Sequence, residues 1–199
     1  MIGSGAVSTR ETWIFGYGSL VWRPAFAHAE RAPARIGGWV RRFWQGSIDH
    51  RGVPGTPGRV VTVVPSADPA PCWGVAYRVS QANVTEVLAR LDHREQGGYE
   101  RETVEVELAA GARSSGRAVQ ALMYLATEAN PNYLGPAPLD TIARQIVSAV
   151  GPSGPNPEYV MRLAEALRAM GAADDHVFEL EARVRMLLAE PVPEPARRT

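Results

Sequence analysis

Two stretches of the sequence combine residue types that could do chemistry. The first, residues 13–22 (WIFGYGSLVW), is a short apolar run that leads into two glycines on either side of Tyr17. Glycine lets a backbone approach a ligand closely, and successive N–H groups in such a turn can form an anion-binding nest. The second, residues 91–99 (LDHREQGGY), carries the carboxylate of Glu95. The pair predicts a backbone cradle with a carboxylate, and the alternative for the first stretch is a tight turn without function.

Glu95 is the candidate general base. It lies at the predicted C-terminal end of a helix, where the negative end of the macrodipole disfavours a second negative charge. Burial beside Tyr99 would act in the same direction, and a carboxylate with a raised pKa is a better base near neutral pH. The alternative is a surface ion pair with Arg94 or Arg101. Glu86 lies nine residues earlier and should face the opposite side of the helix, which argues against a Glu86–Glu95 pair.

Other chemistries are poorly supported by the residue spacing. The four histidines lie far apart, and none stands at ligand spacing from Cys72: His28, His50, His93 and His176. The dinucleotide fingerprint requires a third glycine where Val21 stands, and no phosphate-loop lysine motif occurs. Ser19 lacks the G-x-S-x-G surroundings of a nucleophilic serine. The sequence therefore predicts a site that uses neither metal nor cofactor.

Composition limits the class of protein. Of the 199 residues, 45% are hydrophobic and 21% charged, and 21 basic side chains balance 21 acidic ones. A net charge of zero gives no global field for attracting nucleic acid. The single cysteine, Cys72, excludes an internal disulfide and favours a reducing compartment. No apolar run approaches the roughly 20 residues that span a bilayer. These features predict a cytoplasmic protein that acts neither on nucleic acid nor in a membrane.

Hydrophobic patterning predicts several strands around one helix. Strands are expected at residues 36–48, with bulges at its glycines, and at 59–64, 72–79, 99–108 and 118–126. Residues 32–35 are predicted to be a loop. Ser80 or Asn83 can start a helix in which Val84, Val87, Leu88 and Leu91 share one apolar face. This order favours an α+β fold, with a mainly antiparallel barrel or curled sheet and a helix packed on it.

From about residue 130 onward, the chain is predicted to be mainly helical. Three helical segments are expected at residues 139–150, 156–170 and 174–189.

Residues 49–58 contain three glycines and two prolines, so they are predicted to form a long loop, which is a candidate lid. We expect one domain over residues 12–190, a disordered leader at 1–11 and a disordered tail at 191–199.

Eight short motifs then point to a known family. They run in order from about residue 12 to residue 190: FGYGSL at 15–20, RFWQGS at 42–47, DHRGVPG at 49–55, PGRVVT at 57–62, WGVAYR at 73–78, REQGGY at 94–99, NYLGP at 132–136 and GPSG at 151–154. On these motifs the chain resembles the ChaC family, the glutathione-specific γ-glutamylcyclotransferases, within the γ-glutamylcyclotransferase-like fold.

The resemblance implies a reaction and a set of site residues. It implies cleavage of reduced glutathione into 5-oxoproline and cysteinylglycine, with Glu95 as the base and without metal or cofactor. The matching substrate-binding loop is Gly16, Tyr17, Gly18, Ser19, Leu20 and Val21. Tyr133 lies in another matching motif and is a further candidate substrate contact. Arg51 or Arg59 could meet a glycyl carboxylate.

The departures from the family pattern are small, and two rival functions stay open. Gln96 stands where a lysine is more usual in the family, and the leader before residue 12 lies outside the resemblance. One rival is a broader cyclotransferase acting on γ-glutamyl-amino acids or γ-glutamylamines. The other is a γ-glutamyl binding module without turnover. The sequence leaves the oligomeric state open.

Overall fold

The computed structural model describes residues 11–95, 97–109 and 116–190. Apart from Glu11, the predicted leader lies outside these residues, as does the predicted tail. Nine strands and four helices occur among the described residues. The strands are β1 (Thr12–Gly16), β2 (Glu30–Ile36), β3 (Trp39–Ser47), β4 (Gly58–Pro65), β5 (Cys72–Val79), β6 (Glu100–Leu108), β7 (Ala118–Leu125), β8 (Val150–Gly151) and β9 (Gly154–Pro155). The helices are α1 (Val84–Arg94), α2 (Leu139–Ser148), α3 (Asn156–Ala169) and α4 (Asp175–Ala189).

Five strands close into a barrel in the order β1-β5-β2-β6-β7. Four of the pairings are antiparallel, and β1 closes the barrel by a parallel pairing with β7, in which Trp13 lies opposite Ala121. Strand β6 shows the expected alternation: Val104 and Val106 are buried, whereas Glu105 between them is exposed. The predicted α+β fold with a mainly antiparallel barrel is confirmed.

The expectation of a loop at residues 32–35 is wrong, because these residues belong to barrel strand β2. Ala32, Ala34 and Ile36 alternate toward the core and are fully buried. Two alanines and a proline carry too little hydrophobicity to reveal this alternation in the sequence. Pro33 has no N–H to donate, but it fits because β2 pairs with β6 only at Ala34 and Arg35.

Strands β3 and β4 form a separate two-stranded sheet that the sequence does not distinguish from the barrel. Its register shifts between Arg42 and Gln45, so the bulge is not at a glycine as expected. Gly37 and Gly38 instead precede the strand, and Gly38 adopts a φ of 77°. The loop that follows β3 is the predicted loop at residues 49–58.

The predicted C-terminal helical segment is confirmed, with each helix ending within two residues of expectation. Helix α2 buries Ile142, Ala143 and Ile146 against the core. Asp174 caps α4 by accepting a hydrogen bond from the Val177 N–H at 3.1 Å. A short hairpin of β8 and β9 joins α2 to α3. None of the helices among the described residues is both long and apolar enough to cross a membrane.

Candidate active site

A cavity of about 310 Å³ lies where the end of β1, the loop after β3, the end of α1 and helix α3 meet. This volume is in the range of small-molecule sites. Its walls bring together side chains that are far apart in the sequence: Tyr17, Ser19, Asp49, Arg51, Arg94, Glu95, Tyr99 and Tyr159. Both stretches with predicted chemistry, one around Gly16 and one around Glu95, therefore contribute to a single cavity.

The turn at residues 16–21, called the glycine turn below, forms one wall of the cavity. Strand β1 ends at Gly16, and a short 3₁₀ turn follows at Ser19–Val21. A Cβ at Gly16 would lie 2.4 Å from the Cβ of Leu20, and one at Gly18 would lie 2.9 Å from the Tyr159 hydroxyl. Neither glycine has a positive φ, so close approach rather than left-handed backbone requires them. The first N–H groups of a 3₁₀ turn have no partner within it and are available to a ligand.

Hydrogen bonds from buried side chains fix the backbone of the glycine turn. The buried guanidinium of Arg41 donates through Nε to the Tyr17 carbonyl at 2.9 Å and pairs with Asp174 at 2.6 Å. The Tyr77 hydroxyl donates to the Leu20 carbonyl at 2.6 Å. Because both donors are buried, their bonds are shielded from competing water. The turn is consequently fixed before a substrate arrives, which lowers the entropy lost on binding.

Glu95 directly follows the last residue of α1, and its side chain is 14% exposed. Burial raises the pKa of Glu95, Arg94 opposes that shift and the Asp49 carboxylate adds to it. Arg94 Nε lies 3.2 Å from Glu95 Oε1. Arg101, the other partner considered, pairs with Asp92 instead. Glu95 is thus ion-paired with Arg94, as one interpretation of the sequence expected, and also lines the cavity, as the other expected.

Arg94 connects the two stretches. Its guanidinium donates to the Ser19 hydroxyl in the glycine turn as well as contacting Glu95. The side chain of Arg94 is 30% exposed and lines the cavity. This arrangement places one positive charge between the turn and the carboxylate. The charge of Arg94 favours the ionised form of Glu95, against the opposing effect of burial.

Some predicted site residues lie away from the cavity wall. Val21 is 1% exposed and packs in the core, with its carbonyl accepting from Arg31. Tyr133 forms an isolated bridge with Gln45, and its buried hydroxyl has no hydrogen-bond partner among the described residues. Glu86, which its spacing had already argued against as a partner of Glu95, is on the exposed side of α1 and pairs with Arg90. Val21 and Tyr133 are therefore not brought together with the other candidates.

The two candidate arginines differ in position. Arg51 lines the cavity, but its Nη1 is already 3.0 Å from both the Pro155 carbonyl and Glu158. Arg59 is buried away from the cavity wall, and its guanidinium donates to Gln145 and to the carbonyls of Phe43 and Gly135. Of the two, Arg51 is the one placed to reach a ligand.

Two residues of the cavity wall, Tyr159 and Asp49, were not predicted as site residues from the sequence. Tyr159 comes from helix α3, where its position in an apolar face resembles that of a packing residue. Asp49 comes from the loop after β3. No spacing rule connects either residue with Glu95, because the chain brings them together only through the tertiary fold. No group of three or more His, Cys, Asp or Glu side chains in the described ranges is arranged to hold a metal ion.

An α+β barrel with a largely buried glutamate carboxylate across a cavity from a glycine turn defines a class of protein suited to acid–base chemistry on a small substrate. Comparison with protein-family models is consistent with this class. The model described as ChaC-like protein matches residues 12–187. The chain therefore belongs to the ChaC-like family.

Individual relatives cover most of the chain. It is 43% identical over 182 residues to γ-glutamylcyclotransferase 2-3 of Arabidopsis thaliana, spanning 89% of this chain and 90% of the relative. It is 45% identical to human glutathione-specific γ-glutamylcyclotransferase 1, over 88% of this chain and 79% of the relative. Among solved structures, a γ-glutamylcyclotransferase specific to glutathione from yeast superimposes with a TM-score of 0.82 at 32% identity. That match covers 89% of this chain and 96% of the yeast chain.

Proposed function

We propose that this protein is a glutathione-specific γ-glutamylcyclotransferase, which cleaves reduced glutathione into 5-oxoproline and cysteinylglycine. The observation that carries the proposal is the shared cavity of Glu95 and the glycine turn. The names of the human and yeast relatives favour glutathione over other γ-glutamyl compounds. They also favour an enzyme over a module that only binds.

The reaction needs a base and a rigid site, and no other reactant. The substrate's α-amine attacks its own γ-carbonyl, a five-membered lactam closes and the dipeptide amine leaves. Two protons depart from the attacking nitrogen, and two arrive at the leaving nitrogen. Glu95 accepts each proton from the first nitrogen and returns it to the second, so the enzyme ends unchanged. The remaining requirement is to hold a flexible substrate in a folded geometry, which shortens the path to attack.

The glycine turn supplies the second function of the site. We assign substrate binding to Gly16, Tyr17, Gly18, Ser19 and Leu20, whose atoms line the cavity. The unpaired N–H groups at the start of the 3₁₀ turn suit the oxygens of a γ-glutamyl group. The Tyr17 ring forms part of the wall, and its hydroxyl donates to the Tyr124 carbonyl at 2.8 Å. Val21 and Tyr133 stay predicted substrate contacts on the resemblance alone.

The domain organisation and cellular location that we propose rest on sequence features. We propose one catalytic domain over residues 12–190, acting in the cytoplasm on a small-molecule substrate. The buried, single Cys72 suits a reducing compartment, and the balanced charge gives no attraction for nucleic acid. The loop at residues 49–58 stays a candidate lid, with Asp49, His50 and Arg51 facing the cavity.

The raised pKa of Glu95 predicts the acid limb of the pH–rate profile. Glu95 must be ionised to accept a proton, so kcat/KM falls as the pH drops through its pKa. Because burial raises that pKa, the acid limb should lie above the value of about 4.3 found for an ordinary glutamate. Initial rates of 5-oxoproline release across the acid range measure it. An acid limb at or below the ordinary value, in a protein that remains folded, would contradict this assignment.

Substrate choice is tested by comparing glutathione with γ-glutamylalanine under identical conditions. The proposal predicts 5-oxoproline from glutathione with a kcat/KM at least about 100-fold higher than from γ-glutamylalanine. Equal values for the two substrates would indicate a broader cyclotransferase. Binding of glutathione without any 5-oxoproline would indicate a binding module. Each of these two outcomes overturns the proposal in a different way.

A further inference from the structure

Tyr159 reaches the cavity from helix α3, and its hydroxyl lies beside the glycine turn. The residue is 5% exposed. Its ring is held edge-on by Trp22, at 5.2 Å between centroids, and by Phe43, at 6.0 Å. The position that a Cβ would occupy at Gly18 is 2.9 Å from the hydroxyl oxygen. Two aromatic neighbours thus fix the ring so that its polar end meets the backbone of Gly18.

The Tyr159 hydroxyl has a proton to donate. In the part of the chain that the structure describes, no oxygen accepts that proton in a hydrogen bond. Burial raises the pKa of Tyr159 to about 12, so the phenol is protonated at neutral pH. A fixed O–H donor facing the cavity is therefore available to a substrate oxygen.

The other three tyrosines of the wall are differently engaged. The Tyr17 hydroxyl donates to the Tyr124 carbonyl, and the Tyr124 hydroxyl donates to Asp92. Tyr99 lies on the side of the base, since its pKa is raised first by burial and next by the charge of Glu95. Tyr159 differs from all three because its hydroxyl lies next to Gly18, where the turn begins. A substrate oxygen that faces Gly18 would therefore meet the hydroxyl as well as the N–H groups that open the turn.

We propose that Tyr159 is a further catalytic residue, whose hydroxyl donates a hydrogen bond to the γ-carbonyl oxygen of the substrate. This inference deepens the proposed cyclotransferase function and rests on it. When the α-amine bonds to the γ-carbon, the π electron pair of the carbonyl moves onto the oxygen. The Tyr159 hydroxyl stabilises that charge without transferring its proton. As the bond to the leaving nitrogen breaks, the electron pair returns and the carbonyl of the lactam forms.

The direct test is Tyr159→Phe, which removes one oxygen and keeps the ring between Trp22 and Phe43. We expect kcat for glutathione to fall about 100-fold with KM changed less than about threefold, because the bond strengthens only as charge develops. Ser148→Ala is the control: it also deletes one hydroxyl, which donates to the Gln145 carbonyl outside the cavity, and kcat should stay within about twofold. A Tyr159→Phe variant with kcat within about threefold of wild type overturns the proposal.

Two further measurements separate the alternatives. A loss of kcat in Tyr99→Phe but not in Tyr159→Phe would assign the donor to Tyr99 and overturn the proposal. If Tyr159→Phe does not fold, a fluorinated tyrosine at position 159 replaces it, since fluorine makes the phenol more acidic. The alkaline limb of the kcat profile should then move to lower pH, and an unchanged limb would refute the role of the hydroxyl. Wild-type protein inactive on glutathione would instead refute the cyclotransferase function itself.

Discussion

Replacing Glu95 with glutamine is expected to lower kcat for 5-oxoproline release from glutathione by about 10³-fold. Glutamine has nearly the same shape as glutamate but cannot accept the proton of the α-ammonium group at neutral pH. The substrate still meets the glycine turn, so the dissociation constant of glutathione should change by less than about fivefold. Steady-state kinetics and calorimetric titration measure the two effects separately.

The matched control for this variant is Glu105→Gln. This substitution makes the same chemical change on the exposed face of β6, away from the cavity. Its kcat should equal that of the wild type within about twofold. If Glu95→Gln also kept a near-normal kcat, the proton would have to be accepted by another group, and the assignment of Glu95 would be wrong.

The same variant changes how stability depends on pH. Burial raises the pKa of Glu95 in the folded protein, so folding favours its protonated form. The stability linked to this group is present below its unfolded pKa and is lost as the pH rises through the folded pKa. Glutamine does not titrate. Relative to wild type, Glu95→Gln should therefore gain stability between mildly acidic and neutral pH, as measured by urea unfolding at several pH values.

The second large effect is expected from Gly16→Ala. The added Cβ would lie 2.4 Å from the Cβ of Leu20, an atom bound directly to the backbone. The clash cannot be relieved by rotating a side chain, so the turn itself must open. We expect kcat/KM to fall at least about 100-fold, because misplacement by about 1 Å has this effect on positioned reactants. Forced overpacking should also lower the free energy of unfolding by about 1–3 kcal/mol.

Gly37→Ala provides the control for this substitution. Nothing lies within 4 Å of a Cβ at Gly37, and the residue does not have a positive φ. The change should leave kcat/KM within about twofold of wild type. Equal kinetic parameters for Gly16→Ala and Gly37→Ala would mean that the turn tolerates the shift and does not position the substrate.

Much of the fold could be predicted because local pattern and tertiary role agree. The alternation around Val104 and Val106 predicted β6, and the apolar face containing Val87 and Leu91 predicted α1. Strand β2 could not be recognised, because small residues such as Ala32 hide its alternation. The separation of β3 and β4 from the barrel also depends on which strands pair, and pairing is a long-range property that periodicity does not report.

The candidate site was predictable in its two local parts and not in its assembly. The glycine turn and Glu95 each have a short sequence signature, and both contribute to the cavity. The reason for the glycines is close approach to Leu20 and Tyr159 rather than a left-handed backbone. Tyr159 has no such signature, because its hydroxyl reaches Gly18 only after α3 packs against the turn. Residues supplied by packing of this kind require the structure.

Product analysis in oxygen-18 water distinguishes attack by the substrate's own α-amine from hydrolysis. The purified protein is incubated with reduced glutathione, and mass spectrometry measures the amount and the oxygen-18 content of each product. Intramolecular attack predicts 5-oxoproline and cysteinylglycine in equal amounts, with no oxygen-18 in either product, and about 10³-fold slower release of both by Glu95→Gln. Free glutamate carrying oxygen-18 in its γ-carboxyl group would contradict it, because Glu95 would then be activating water for hydrolysis instead of the substrate's own amine.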